Sequence, residues 1–465
     1  MFANLVAIKI IQRLSVKTAA KQGEGMVMNK YKKYILGVAI IFSCQSLMAE
    51  LKPIADEALS DITGQAYLSV DKTYHPEDIE GNLDYDTNVS YTRINFGMDI
   101  ETLTNADVLE MGRYHRWANT EENGAKAGTI CNTCNGSEAG LEAQPSDLLI
   151  KDFGLGYINN KEYSDANPQV PMLLKDDGTP YGEGEIVPFK IKNPFLEFAH
   201  DETTGEVIGV RIGFGETKGI LSGVIESLSG AVNVDIRDAG SAISETGGGD
   251  GSLFEKILLN LTPLLVADGT VSTQAGPMNE NNQLDSIRAT RLGVPDGEDF
   301  IISGADDVAV LAVKFGDLIG QVGNDVRYEK MHNEDGSVMR GCGLFNGECN
   351  RIIVTVEDCQ ALGAQTCFDL DRFQALPIGK VDVQDDKNVI TDSVSGLFLS
   401  FQTQAVGWST TKGAHDAVNV EDFIRTTPGA FFNVPNGALE VNLGEVYRGT
   451  PMPRKEFIDR GVGLF

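Results

Sequence analysis

Three groups of residues in this 465-residue chain have types and spacings that bear on chemistry. Asp84, Asp86 and Asn88 place oxygen donors at alternate positions, the spacing with which calcium loops begin. An EF-hand also requires Gly at its sixth place and Glu at its twelfth, and Val89 and Asn95 stand there. Two readings remain for the trio, a calcium site of another geometry and the polar face of a strand. Calcium is the single cofactor under consideration, and otherwise none is expected.

The cysteines form the second group. Once Cys44 leaves with the leader segment described below, six remain, in the local pairs Cys131/Cys134, Cys342/Cys349 and Cys359/Cys367. An even count in an exported chain reads as three disulfides, and of the fifteen formal connectivities the local one is expected. Cys131-Asn132-Thr133-Cys134 also has the spacing of half a zinc site or of a redox motif. A zinc knuckle needs a second closely spaced pair, and a thioredoxin-like site needs a βαβ setting; both are missing from the pattern.

Acids and histidines make up the third group. The histidines at 75, 115, 200, 332 and 415 show no metal-ligand spacing, and neither H-E-x-x-H nor G-x-S-x-G occurs. Asp201/Glu202 and Asp385/Asp386 satisfy the two-carboxylate requirement of glycoside hydrolysis, but with 67 acidic residues such pairs arise by chance. Arg113-Tyr114-His115-Arg116-Trp117 is the most site-like cluster, because it gathers cations and aromatics in an acidic chain. Packing or an interface explains it equally well. Gly213-Phe214-Gly215-Glu216-Thr217-Lys218-Gly219 has its last glycine one place late for a dinucleotide fingerprint. Glu245 to Gly251 lacks the Lys and Ser/Thr of a phosphate loop. No catalytic residue is assigned.

The elements that carry these residues are mainly β. Phe195 to His200 is an apolar-rich run, Asp201-Glu202-Thr203-Thr204-Gly205 supplies a turn, and Ile208, Val210, Ile212 and Phe214 follow at period two. That is a β-hairpin signature with one buried and one wet face. Beyond Gly219, Ile220, Val224, Leu228, Val232, Val234 and Ile236 share one face; Ser227, Ser229, Asn233, Asp235 and Arg237 share the other. Further strands are predicted at 89–98, 147–157, 300–302, 308–313, 351–356, 394–401 and 438–443. Residues 160–188 and 269–300 read as polar connections. The fold class is therefore antiparallel sheet or a β-solenoid-like build, with one short helix near 252–262 opened by the capping-box spacing Ser252 to Glu255. A membrane barrel is disfavoured, because Gly461 and Gly463 occupy the places where a terminal strand would be apolar and Pro451 and Pro453 interrupt it.

Residues 1–27 read as sequence upstream of the working start, and 28–49 read as a signal peptide. Asn29-Lys30-Tyr31-Lys32-Lys33 is the positive region, Ile35 to Phe42 the apolar core, and cleavage follows Ala49. An uncleaved anchor and lipidation at Cys44 are the rival readings. The exported part divides into a β-rich domain (50–245), a linker with the helix (246–300) and a second β-rich domain (301–465) carrying two of the disulfides. The formal charge is −29, and residues 1–49 hold seven basic residues and one acidic residue, so the exported part lies near −35. Such a charge repels nucleic acid and anionic membrane. No later segment is apolar for long enough to span a bilayer as a helix.

The opening Leu51-Lys52-Pro53-Ile54-Ala55-Asp56-Glu57-Ala58-Leu59-Ser60-Asp61-Ile62-Thr63-Gly64-Gln65-Ala66 resembles the mature N-terminus of a group of exported γ-proteobacterial proteins, some named as pilus-assembly (Fil-type) proteins. Lys192 through Phe198, Gly209 to Gly215 and Leu221-Ser222-Gly223 are similar to the same group. The resemblance implies an exported, surface-associated β protein and carries no catalytic motif. The expected function is structural or adhesive, at the cell surface, at the outer membrane or in the medium rather than in the periplasm. Filament or other surface proteins, or a second copy, are the expected partners. The alternative is a secreted carbohydrate-active or ligand-binding protein with structural calcium. An open strand edge or flat apolar patch would favour the first, and a deep pocket with converging acids the second.

Overall fold

The hairpin announced by residues 195–214 is the spine of the molecule. The computed structural model describes residues 67–76, 85–116, 130–131, 146–168, 170–239, 270–279, 281–305, 310–311, 313–314, 325–331, 350–361, 364–384, 387–410 and 422–453. The leader, Ala49, the 252–262 helix, Asp84, Cys134, Cys342 and Cys349 lie outside these residues.

The strands needed below are β1 (Tyr67–Tyr74), β2 (Val89–Gly97), β3 (Thr104–Met111), β4 (Leu148–Leu155), β5 (Phe189–Asp201) and β6 (Val207–Leu228). They continue with β7 (Val234–Ala239), β8 (Thr270–Met278), β9 (Asp299–Ala305), β10 (Val326–Lys330), β11 (Asn350–Thr355) and β12 (Ala375–Ile378). The last are β13 (Phe398–Gln402), β14 (Val406–Ser409), β15 (Phe423–Thr426), β16 (Gly429–Val434) and β17 (Glu440–Asn442). Two short helices, α1 (Lys161–Ala166) and α2 (Leu443–Arg448), complete the set.

Most of the described residues fall into strands of open sheets, so the mainly β reading holds. One sheet of eleven strands runs β1-β2-β5-β6-β13-β16, with β4 and β12 also pairing with β6 and β3 with β4. A second, of eight strands, runs β10-β11-β9-β8-β7-β17. Among the described residues all but three of the pairings between strands are antiparallel. Sheet pairing runs freely along the chain: β6 pairs with β12 and β13, and β7 with β8 and β17. The described residues all belong to one unit, Gln65–Phe465. None of its described helices is long and apolar enough to cross a membrane.

The 22 residues of β6 serve two surroundings. Its first half pairs with β5 and β13, its second with β4 and β12. The second half also carries two register shifts against β4, between Ser222 and Val224 and between Ile225 and Ser227. The first places the extra residue on β4 and the second places it on β6, where it flips the side-chain alternation after Ile225. At Gly223, φ is 150° and an added Cβ would strike the Ile150 side chain, so a residue without Cβ is required. The expected faces are corrected here: Leu221, Ile225 and Leu228 enter the main core, Ile220 joins a second cluster, and Ser227 and Ser229 are buried instead of wet. Both serines are satisfied, Ser227 donating to the Ser146 carbonyl at 2.8 Å and Ser229 accepting the Arg288 N–H at 2.8 Å.

Three other predictions are corrected. Residues 310–311 and 313–314 are helical rather than extended. Val313 is buried and Leu311 is exposed, an opposition that a strand would not allow at i and i+2. The supposed connection 269–300 contains β8, hidden from the pattern because its inward residues include Thr273 and Ala275 beside Val271. The connection 160–188 contains α1, whose cap Asn160 accepts from the Glu162 N–H at 2.9 Å.

Cys359 and Cys367 are joined across a Cα separation of 5.3 Å, and Cys131 is also disulfide-bonded.

Candidate functional site

Antiparallel register aligns one residue from each strand into rows across β1, β2, β5, β6 and β13. On one side the row reads Asp71, Arg93, Glu197, Arg211, Ser400. On the opposite side the neighbouring row reads Val70, Ile94, Leu196, Ile212, Leu399, flanked by Leu68, Phe96, Phe198, Val210 and Phe401. Alternation alone would bury the second row and wet the first. The structure does the reverse: Arg93, Glu197 and Arg211 are buried, whereas Ile212 is 42% and Val70 is 61% exposed and the remainder of the apolar row is half-buried.

The charged side is buried because its charges neutralise one another and aromatics cover them. The Glu197 carboxylate accepts from Arg93 Nε at 2.9 Å and from Arg211 Nε at 2.8 Å, with a further bond from Arg211 Nη2. Arg211 Nη1 donates to the Ser409 carbonyl at 2.7 Å. Phe195 lies 4.3 Å from the Arg93 guanidinium, and Phe398 and Trp408 lie 5.0 and 4.9 Å from that of Arg211. Gly213 gives Phe195 its place, since a Cβ there would run into the ring. Trp408 belongs to the β14–β15 ribbon and forms a small core with Tyr91, Phe398 and Phe431.

The apolar side is covered only in part: Leu399 packs against the main core, whereas Val70 and Ile212 stay exposed. It reaches β1, which among the described residues pairs with β2 alone and shows Leu68, Val70 and Tyr74 to solvent. Exposed apolar side chains beside a strand edge are a feature that proteins ordinarily cover, blunt or use.

The Arg113–Arg116 cluster divides by alternation. Arg113 and His115 face outward, Arg113 binding Glu110, while Tyr114 and Arg116 turn in. There Asp147 accepts from Arg116 Nε and Nη2 at 2.9 and 2.8 Å, from Arg288 Nε at 3.0 Å, from the Ala430 N–H at 3.0 Å and from the Tyr114 hydroxyl. Burial and the Asp147 charge push the Tyr114 hydroxyl above its ordinary range. This sealed node ties β3, β4 and β16 together and offers no access to a substrate.

The remaining sequence candidates are dispersed. Asp86 accepts the Asn88 N–H at 2.9 Å in a local turn, and Asn88 donates to Thr203 at 2.7 Å. Among the described residues no group of three or more His, Cys, Asp or Glu could hold a metal. Asp201 organises the hairpin turn by accepting the Thr203 N–H at 2.7 Å, and Glu202 reaches Lys72 at 3.7 Å. His75 stacks on Phe423 at 4.5 Å, and burial lowers its pKa.

Sequence reading passed over Glu445. It sits buried on α2 at a cleft of about 760 Å³, whose walls include Asp369, Asp371, Arg372 and Arg448. Burial raises its pKa to about 7, with Asp238 adding to the rise and Arg448 opposing it. The folded pKa lies above the ordinary 4.5, so the protonated form stabilises the fold below that pH, and the contribution is lost as pH rises through 7. Glu445→Gln should therefore be more stable than wild type at pH 8 by about 2–3 kcal/mol, and equal to it near pH 4.5. Thermal melts at the two pH values check this; a difference independent of pH would refute it.

Compared with protein-family models, with curated proteins and with solved structures, the chain finds no match. What fold and site define is a class: a mainly β, disulfide-containing protein with a row of buried charges in its larger sheet.

Proposed function

We propose that this chain is an exported, non-enzymatic component of the cell surface, structural or adhesive, which holds a filament or other surface protein against the outer face and β1 edge of its larger sheet. One observation carries the reading: exposed apolar side chains on β1 and β6, on a face that ends at a strand with one partner among the described residues. A strand added to β1 would extend both the hydrogen-bond ladder and the apolar face. The signal-peptide pattern, the disulfides and the resemblance to Fil-type proteins agree with export.

The test is fractionation of the native organism into sheared filaments, outer membrane, periplasm and medium, with wild type beside Val70→Glu/Ile212→Glu. Both positions are exposed, so the double variant should fold. Wild type is expected in the filament or outer-membrane fraction, and the variant is expected to move to a soluble fraction. A wild-type protein found as a soluble monomer would refute the proposal. The Glu445 cleft supports the second reading, a secreted ligand-binding protein, which predicts that soluble result.

A further inference from the structure

The two buried arginine networks have the same composition, two guanidinium groups sharing one carboxylate, but different surroundings. Around Asp147 the arginines also donate to carbonyls of Pro428, Gly112 and Tyr114, and the node is sealed. The Arg93–Glu197–Arg211 network borders a cavity of about 360 Å³. Its walls include Phe195, Phe214, Leu397 and Phe398, and Asn95, Ser409 and Thr410 contribute polar groups. Two further acids stand nearby. Asp71 is exposed and accepts from Asn95 at 2.7 Å, and Glu216, itself in the cavity wall, lies opposite Lys192 on β5. Glu197 is thus the one buried acid set between two buried cations, so two guanidinium groups and a single buried carboxylate border the cavity.

We infer that this cavity is a binding site for a small amphipathic carboxylate, its head against Arg93 and Arg211 and its aliphatic body against Phe195, Phe214, Leu397 and Phe398. Guanidinium groups bind carboxylates in preference to neutral head groups, and a volume of this size with predominantly apolar walls suits a small ligand. The site lies among the row of buried charges, and the inference does not rest on the proposed docking face.

Calorimetric titration of the protein with decanoate, decanol and glucuronate tests it. Decanoate should bind saturably, and decanol and glucuronate at least tenfold more weakly. Arg93→Gln should weaken decanoate at least tenfold. Because that change also disturbs a buried pair, Ser395→Phe supplies an independent variant: Ser395 is an exposed residue of the cavity wall, and the larger side chain should obstruct the ligand without touching the network. Any of three results would overturn the inference: no saturable decanoate binding, decanol or glucuronate binding as tightly as decanoate, or undiminished decanoate binding by folded Ser395→Phe.

Discussion

Asp147→Ala is expected to destabilise the protein by about 3–5 kcal/mol, a large part of the total for a marginally stable fold. The substitution removes the acceptor of four side-chain bonds and one backbone bond at once. It leaves Arg116 and Arg288 facing each other in the interior, both buried. Desolvated cations without their counter-ion are far more costly than a lost contact. The contrast is Arg113→Ala two strand faces away, where the Glu110 pair is solvent-exposed and should change stability by less than about 1 kcal/mol. Urea unfolding followed by circular dichroism measures both. A Asp147→Ala loss no larger than that of Arg113→Ala would mean that the node is not the structural centre its geometry makes it.

The second large effect belongs to the row of buried charges. Glu197→Gln keeps the shape but removes the charge between Arg93 and Arg211, and should cost about 3–5 kcal/mol. Burial already pulls the Arg211 pKa down, with Glu197 opposing and Arg93 reinforcing that pull. Removing the carboxylate takes away the main compensation. Replacing all three members with apolar residues of similar volume, Arg93→Met/Glu197→Leu/Arg211→Met, should cost much less than the single change, because no desolvated charge remains. Denaturant unfolding of the single and triple variants decides it. A triple variant as unstable as the single one would show that the network stabilises through its hydrogen bonds rather than merely tolerating its own burial. The triple variant should also lose decanoate binding.

Much of the secondary structure was legible from local pattern. The turn at 201–205 is where the hairpin reverses, because Asp201 can accept backbone N–H groups of its own turn. The strands at 89–98, 300–302 and 351–356 fall on β2, β9 and β11, where β-branched and aromatic residues are dense. The short loop between Cys359 and Cys367 brings its own ends together, so that pairing too was readable from spacing.

Which face of β6 turns inward was not. Period two states that Ile212 and Arg211 point to opposite sides, and it is silent on which side meets the core. Local hydrophobicity chose Ile212. The tertiary structure chose Arg211, because Glu197 comes from 14 residues away, Arg93 from 104 residues before Glu197, and the Ser409 carbonyl from 198 residues beyond Arg211. Asp147 reads as an ordinary acid before the apolar run 148–150, and only the approach of Arg288 and Ala430 makes it a node. The sequence by itself determined that this chain is built of strands and where its main hairpin turns, since those depend on neighbours a few residues apart. Which charges are buried, where a cavity opens and which apolar side chains stay exposed were decided by the tertiary structure alone, because each depends on groups that only long-range strand pairing brings together.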